Sequence, residues 1–205
     1  VRRRSLAIGW PKAISRGAEV EFALAPTPLV DLALSATLND SELRSTLTSI
    51  DAGGTETVVV GIQSGNRLPG VPKYQAAGSA TVRRPLRGGA MGFLTASAQH
   101  IGSRYTLMED LAPTAGTVDM EALPFTVGGP LTQRFFTFDP ELPAYTLVNG
   151  RVGLTRANWE TAFFVNNIGD TRALLALDRE RGTLARVGYL VNQPRTFGVS
   201  FGFSY

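Results

Sequence analysis

The sequence predicts an all-β fold, namely an antiparallel transmembrane β-barrel of about eight strands. Three observations predict this fold. Segments in which apolar and polar residues alternate recur along the 205 residues, and a period of two is the pattern of a strand with one apolar face. Turn residues separate these segments, since the chain contains 22 glycines and 12 prolines. The connections between segments are short at one end of the predicted sheet and long at the other.

The last ten residues show the alternation most clearly. One face of this strand carries Phe197, Val199, Phe201, Phe203 and Tyr205, while glycine and serine occupy the other face. A strand with a large apolar face and a small polar face suits a barrel whose outer wall meets lipid and whose inner wall meets water. The sequence contains no run of 18 apolar residues, so it does not predict a transmembrane helix.

Eight segments are predicted as strands. In chain order they cover residues 5–10, 16–25, 30–43, 74–84, 90–107, 145–154, 159–175 and 186–205. The first is incomplete, because Pro11 ends its alternation early. The second alternates Val20 and Phe22 with Glu19 and Glu21, and the third alternates leucine and alanine with polar residues. A Pro-Thr-Pro sequence between these two strands predicts a tight turn.

The remaining strands follow the same rule with other side chains. The fourth and fifth carry glutamine, serine and threonine on their polar face. The sixth alternates valine and leucine with Asn149 and Arg151. The seventh places Glu160 and Asn166 opposite Trp159, and the eighth is the C-terminal strand described above.

The lengths of the connections indicate which end of the barrel is which. Those after strands two, four and six are a few residues long, whereas those after strands three and five exceed 25 residues. The connection after strand seven, near residues 178–182, is predicted to be intermediate. Outer-membrane barrels have short periplasmic turns and longer extracellular loops. A periplasmic C-terminus therefore places every long connection outside the cell.

Alternation alone also fits a soluble β-sandwich or a lipocalin-like barrel that binds a small apolar ligand. Two details favour the membrane. The polar faces carry mostly small hydrophilic side chains, as a wet lumen accepts. In addition, Trp159, Phe203 and Tyr205 cluster at the short-turn end, where an aromatic girdle lies in membrane barrels.

The composition argues against catalysis and against nucleic-acid binding. The chain has no cysteine and a single histidine, His100, so neither a thiolate metal site nor a multi-histidine zinc site is expected. We expect no cofactor and no enzymatic activity, because His100 has no nucleophile motif around it. The net charge is only +3 and the arginines are scattered, which does not indicate a nucleic-acid footprint.

Five short strings, taken together, resemble the barrel of TonB-dependent outer-membrane receptors. They resemble the family's "SRGxExE", "LPxxPxY", "YxLVNxRVGL", "WxxxxFVxNLxD" and "PRTxG" strings, in the family's order. Here they lie at residues 13–21, 68–74, 145–154, 159–170 and 193–198. The strings span almost the whole chain, and their number and order make the resemblance specific.

The resemblance implies that residues 1–205 are a single partial barrel domain, roughly the last third of a 22-stranded barrel. An N-terminal plug domain, the motif that contacts the energy-coupling protein TonB and a signal peptide are expected outside this stretch. The family's function would be active uptake of a ferric siderophore or a similar bulky solute across the outer membrane of a Gram-negative cell. The alternative is an autonomous small barrel without a pumped substrate, since eight strands can also close into a narrow barrel.

The resemblance also suggests roles for three sets of residues. The C-terminal aromatic residues Phe201, Phe203 and Tyr205 would be the signal recognised by the outer-membrane assembly machinery. Candidate extracellular ligand contacts, since aromatic rings and arginine suit an iron chelate, are Arg134, Phe135, Phe136 and Phe138; a cluster that folds the loop on itself is the alternative. Side chains expected to face the lumen, where charges need partners, are Glu19, Glu21, Asn149, Arg151, Glu160 and Asn166.

Overall fold

The computed structural model describes residues 11–50, 53–119, 135–179 and 187–204. These residues form fifteen strands and two short 3-10 helices, Arg87–Gly89 and Met108–Leu111. No helix in these ranges is long and apolar enough to cross a membrane. In chain order the strands are β1 (Ala13–Thr27), β2 (Val30–Leu43), β3 (Thr48–Ile50), β4 (Glu56–Val58), β5 (Tyr74–Pro85), β6 (Ala90–Ile101), β7 (Arg104–Tyr105), β8 (Thr117–Asp119), β9 (Phe135–Thr137), β10 (Glu141–Leu142), β11 (Tyr145–Arg156), β12 (Trp159–Asn166), β13 (Leu174–Arg179), β14 (Val187–Val191) and β15 (Thr196–Phe203).

Seven of the strands form one antiparallel sheet in the order β1-β2-β5-β6-β11-β12-β15. Tight turns join β1 to β2, β5 to β6 and β11 to β12 at one end of this sheet. The turn before β6 uses Gly88 and Gly89, both with φ of 74°, a left-handed backbone conformation that glycine adopts without steric cost. The all-β antiparallel fold that the alternation predicts is therefore confirmed.

One face of the sheet is apolar and open to the surroundings. A single register row crosses six strands through Val30, Val82, Leu94, Val152, Phe163 and Val199. The side chains of Phe197 and Val199 are 75% and 73% exposed. Nothing in the described part of the chain packs against this face, and an apolar surface of this extent marks a place where lipid or another partner covers the protein.

The sheet is an open arc. In the described residues β1 pairs only with β2, and β15 pairs only with β12, so the two edge strands do not meet. The arc accounts for seven of the predicted strands. The eighth prediction, residues 5–10, lies outside the described residues.

Three strand predictions were wrong in their bounds. The strand predicted at 90–107 ends at Ile101, since Gly102 turns away and the next strand, β7, pairs with β10 instead. The strand predicted at 159–175 ends at Asn166, and the one predicted at 186–205 is two separate strands, β14 and β15. The alternating residues of β13 and β14 pair with each other, so their pattern belongs to a hairpin outside the sheet.

The same correction changes the third long connection, which was predicted to be intermediate. It spans residues 167–195 and carries the β13–β14 hairpin. The chain leaves the sheet at this point because Asn167 and Asp170 have φ of 53° and 49°, and left-handed residues cannot continue a strand. All three long connections therefore lie at one end of the arc, opposite the three tight turns.

The few buried residues lie mainly among the long loops and not in the sheet. Of the buried apolar side chains in the described residues, Leu43, Leu142, Ala173 and Leu177 lie at the long-loop end, and Ala162 belongs to the sheet. A sheet that is one layer thick has no interior of its own. The packed core of the described structure is therefore in its outer loops.

Candidate functional site

The register of the sheet places the six side chains predicted to face the lumen on one face, opposite the apolar one. Glu19 and Glu21 of β1 pair with Thr37 and Ser35 of β2. The other four come from β11 and β12 at the far side of the arc: Asn149, Arg151, Glu160 and Asn166. The polar face as a whole is built from the alternate residues of all seven strands.

This polar face is concave. A cavity of about 660 Å³ lies over its centre, with Glu21, Ser35, Ser79, Gln99 and Asn149 among its lining residues. Serine, alanine and glycine line most of the remainder, so the surface offers hydroxyl and amide groups without bulky side chains. A second cavity of about 460 Å³ adjoins it, and Asn149 lines both.

Two ion pairs lie on the polar face near the tight turns. Arg151 Nη2 donates to Glu160 Oε1 at 2.6 Å and to Ser200 Oγ at 3.1 Å. The guanidinium also lies 5.3 Å from the centroid of the Phe93 ring, within the range of a cation–π contact. Arg83 pairs with Asp31 in the neighbouring hairpins. At this end, these contacts tie β2 to β5, and they tie β11 to β6, β12 and β15.

Glu19 and Glu21 differ from these paired residues. Both side chains are exposed on the polar face, and both line a small cavity of about 190 Å³ beside Thr37, Gln75 and Gln99. Within the residues that the structure describes, neither carboxylate forms an ion pair or a side-chain hydrogen bond. The arc therefore has paired charges near its turns and solvent-exposed acidic charges at its β1 side.

The predicted ligand-contact residues are only partly described. Arg134 lies outside the described residues. Phe135 is 56% exposed at the start of β9, whereas Phe136 is half-buried opposite Val118. The backbone N–H of Phe138 donates to Gly116 O at 2.8 Å. Of the three phenylalanines, Phe135 is the one that offers most of its side chain to solvent.

Of the C-terminal aromatic residues, Phe201 and Phe203 lie on the apolar face. Phe203 pairs with Trp159 across the end of the sheet, and Phe201 pairs with Thr161. Tyr205 lies outside the described residues. The Trp159–Phe203 pair adjoins the tight turn after β11, at the level where the sequence places an aromatic girdle.

A second aromatic contact lies on the apolar face at the opposite, long-loop end. The rings of Tyr74 and His100 stack with centroids 5.5 Å apart, and His100 Nδ1 is 2.8 Å from Thr146 Oγ1. Both partners therefore hold His100 in place. In the described residues no cluster of three or more His, Asp and Glu side chains has the spacing of a metal site.

A cluster around Asn167 is a feature that alternation did not reveal. Asn167 is buried, and its side chain accepts from Thr171 N at 2.9 Å and donates to Thr171 O and Gln193 O. Its backbone N–H donates to Asn149 Oδ1 at 2.9 Å, so Asn149 connects the polar face to the third loop. The Asn-Asn-Ile-Gly-Asp sequence there is rich in turn residues, and this composition was the available signal.

Asp170 closes the other side of the same loop base. Its Oδ1 accepts from Arg195 N at 2.9 Å. This hydrogen bond, aided by the nearby arginines Arg172 and Arg195, holds the pKa of the Asp170 carboxyl below its ordinary value. The Asp170 carboxylate therefore joins the beginning of the third loop to its end, next to the sheet.

Two tyrosines anchor the second long loop. Burial raises the pKa of Tyr105, and the nearby Glu141 carboxylate raises it further. Burial also raises the pKa of Tyr189, whose hydroxyl donates to Asp139 O at 2.9 Å. Both phenols therefore stay protonated at neutral pH, so the Tyr189 hydroxyl remains a hydrogen-bond donor.

Comparison with solved structures finds the same fold in two receptors. The ferric yersiniabactin uptake receptor FyuA from Yersinia pestis superposes with a TM-score of 0.66, at 17% identity, over 95% of this chain and 24% of the receptor. The siderophore receptor PiuA from Acinetobacter baumannii superposes with a TM-score of 0.64, at 17% identity, over 95% of this chain and 22% of the receptor. The chain thus spans about a quarter of the length of each.

The sequence comparisons add nothing to this result, since no protein-family model and no curated protein matches the chain. At 17% identity the structural similarity is a similarity of fold. The resemblance to a barrel portion of TonB-dependent receptors, which the five sequence strings indicate, is confirmed at the level of the fold.

Proposed function

We propose that this chain is part of the barrel wall and mouth of a TonB-dependent outer-membrane receptor that takes up a ferric siderophore or a similar bulky solute. The single observation that carries the proposal is the superposition of 95% of the chain on each of two siderophore receptors. Because the chain spans only about a quarter of those receptors, transport belongs to the proposed larger protein.

The two faces of the arc support a location in the outer membrane of a Gram-negative cell. The apolar face is continuous over the register row from Val30 to Val199 and is open in the described structure. A lipid bilayer would cover it, as it covers the outer wall of membrane barrels. The concave polar face would then line the lumen of the barrel.

The charges on the polar face support a lumen that is filled by another part of the protein. Charged groups inside a membrane protein need partners, and the exposed carboxylates of Glu19 and Glu21 have none among the described residues. A plug domain would supply such partners and would carry the contact to TonB. In this arrangement the arc contributes wall and mouth, and the energy for transport enters through the plug.

Two further partners follow from the same proposal. The outer-membrane assembly machinery would recognise the C-terminal strand through Phe201, Phe203 and Tyr205. Phe135, the most exposed of the three described phenylalanines in the ligand-contact group, would be the one that contacts the ligand.

The test uses the native host under iron limitation. An antibody against the exposed residues 53–60 is expected to detect an outer-membrane product several-fold longer than the 205 residues of this chain. Deleting its gene should abolish saturable uptake of radioactive iron presented as at least one of two probes, a ferric catecholate and a ferric hydroxamate complex. Deleting the TonB gene should abolish the same uptake.

The opposite results would overturn the proposal. A membrane product no longer than this chain would favour the autonomous small barrel. Uptake of both probes that is unchanged in the receptor deletion, together with growth unchanged on iron-limited medium, would exclude a role in iron uptake.

A further inference from the structure

The three long connections at one end of the arc lie against one another. We use the name collar for the described parts of residues 44–73, 102–144 and 167–195, which are its first, second and third loops. The collar contains Leu142, Ala173 and Leu177, the buried apolar side chains that follow the strands at this end. Leu43, the last residue of β2, is buried beside the start of the first loop.

Arg67 joins the first loop to the second. Its Nη2 donates to Val71 O at 3.3 Å and to Ser103 O at 3.1 Å, and its Nη1 lies 3.7 Å from Glu141 Oε1. The same guanidinium lies 5.9 Å from the centroid of the Tyr105 ring. The partly buried Arg67 side chain therefore contacts its own loop and both strands of the short β7–β10 pair in the second loop.

Backbone contacts reinforce the same junction. Gly70 N donates to Tyr105 O at 2.7 Å. Gly61, with φ of 78°, is so close to the second loop that a Cβ there would lie 1.8 Å from Met108 O. Only glycine fits such an approach, so the first and second loops are in direct backbone contact at two places.

The second loop is joined to the third by side-chain and backbone hydrogen bonds. Arg104 Nη2 donates to Leu175 O at 2.9 Å, and Leu177 N donates to Thr106 Oγ1 at 2.9 Å. Tyr189 OH donates to Asp139 O at 2.9 Å. These contacts reach both β13 and β14, so both described strands of the hairpin are held against the second loop.

We infer that the three loops of the collar form a single interlocked body that opens as one unit, and that Arg67 is the positioning residue that joins the first loop to the second. Loops that move independently would have few contacts with one another. Here the second loop makes hydrogen bonds to both the first and the third, and most of these bonds are partly buried. If the long-loop end of the arc opens, the collar therefore moves as a whole. Otherwise the movement occurs in another part of the protein. The inference concerns the collar alone and does not depend on the transport proposal.

The test is amide hydrogen exchange of the full-length protein in membrane vesicles, with Arg67→Ala compared with Arg44→Ala. Arg44 is the matched control because it lies in the same loop, where its ion pair with Glu42 at 2.7 Å joins neighbouring residues and no other loop. Arg67→Ala should accelerate exchange about tenfold or more at Gly70 and also at Leu177 of the third loop. Arg44→Ala should change neither. Acceleration confined to the first loop would show that the loops open independently and would overturn the inference.

A second measurement covers the case in which Arg67→Ala does not assemble. The chain lacks cysteine, so spin labels at the exposed positions Gln63 and Leu190 report the distance between the first and third loops. The unsubstituted collar should give one narrow distance distribution, and Tyr189→Phe, which removes a single hydroxyl contact, should broaden it. A broad or multi-peaked distribution before any substitution would contradict a single body.

Discussion

Asn167 holds the base of the third loop through both its backbone and its side chain. Its φ of 53° turns the chain out of the sheet, and its amide group makes three hydrogen bonds to Thr171 and Gln193 while buried. Asparagine is one of the few residues with a side chain that adopts this backbone conformation readily. Asparagine is therefore required at this position for two reasons, its backbone conformation and its side-chain hydrogen bonds.

We expect Asn167→Ala to destabilise the base of the third loop by about 2–4 kcal/mol, because buried backbone groups lose their partners and alanine is strained at this φ. Asn167→Gly should recover part of this loss, since glycine tolerates the conformation but not the lost hydrogen bonds. Hydrogen exchange at Thr171 and Ala173 of the intact protein measures both effects. Asn158→Ala, at an exposed turn asparagine, is the control, and an equal effect there would contradict the assignment.

At the scale of the element, each strand of the arc has an apolar face and a polar face, and the two faces meet different surroundings. In β2, Leu34 lies on the apolar face opposite Phe22 and is 52% exposed, while its neighbour Ala33 lies on the polar face opposite Ser79. The two residues are at nearly the same height in the sheet. Because they are adjacent and both are exposed on opposite faces, they report the environment of each face directly.

The Leu34→Arg substitution should lower the free energy of unfolding by about 2–4 kcal/mol if this position lies near the middle of the bilayer. The Ala33→Arg substitution should lower the free energy of unfolding far less, because the new guanidinium lies on the concave polar face, close to Glu21. The measurement is the urea midpoint of the intact protein in lipid vesicles, together with the amount assembled in the outer membrane. Equal effects at the two positions would mean that the apolar face does not meet lipid.

At the scale of the whole molecule, the arc has two edge strands that pair on one side only. Unpaired strand edges promote association with other strands, and they are not tolerated in lipid. A stable membrane form therefore needs further strands to complete the wall, or a closure of the arc that the described register does not contain.

We expect residues 1–205, expressed alone and refolded in detergent micelles, to self-associate through β1 and β15. Light scattering coupled to size-exclusion chromatography measures the protein mass in the micelle. A monomer that resists unfolding in detergent and shows a closed barrel by hydrogen exchange would support the autonomous barrel, and would contradict the proposal that the arc belongs to a larger wall.

Most of the sheet could be predicted from local pattern. Alternation identified all seven strands of the arc, and the tight turns were found because proline, glycine and asparagine mark them. The second predicted strand begins at residue 16 and the observed one at Ala13, a difference of the size expected for strand ends. The prediction was wrong where predicted strands continued past the sheet, at residues 102–107, 167–175 and 187–195.

The sequence alone determined the strand pattern, the two chemically distinct faces and the end of the arc that carries long loops, because each of these depends on the period of neighbouring residues. Only the tertiary structure decided that Arg151 pairs with Glu160, that β13 and β14 leave the sheet, and that Arg67 joins two loops. These features depend on which strands pair and on where separate loops meet, and no periodicity encodes them. The physical reason is that register determines which side chains share a face, whereas the packing of loops depends on where three separate connections meet in space.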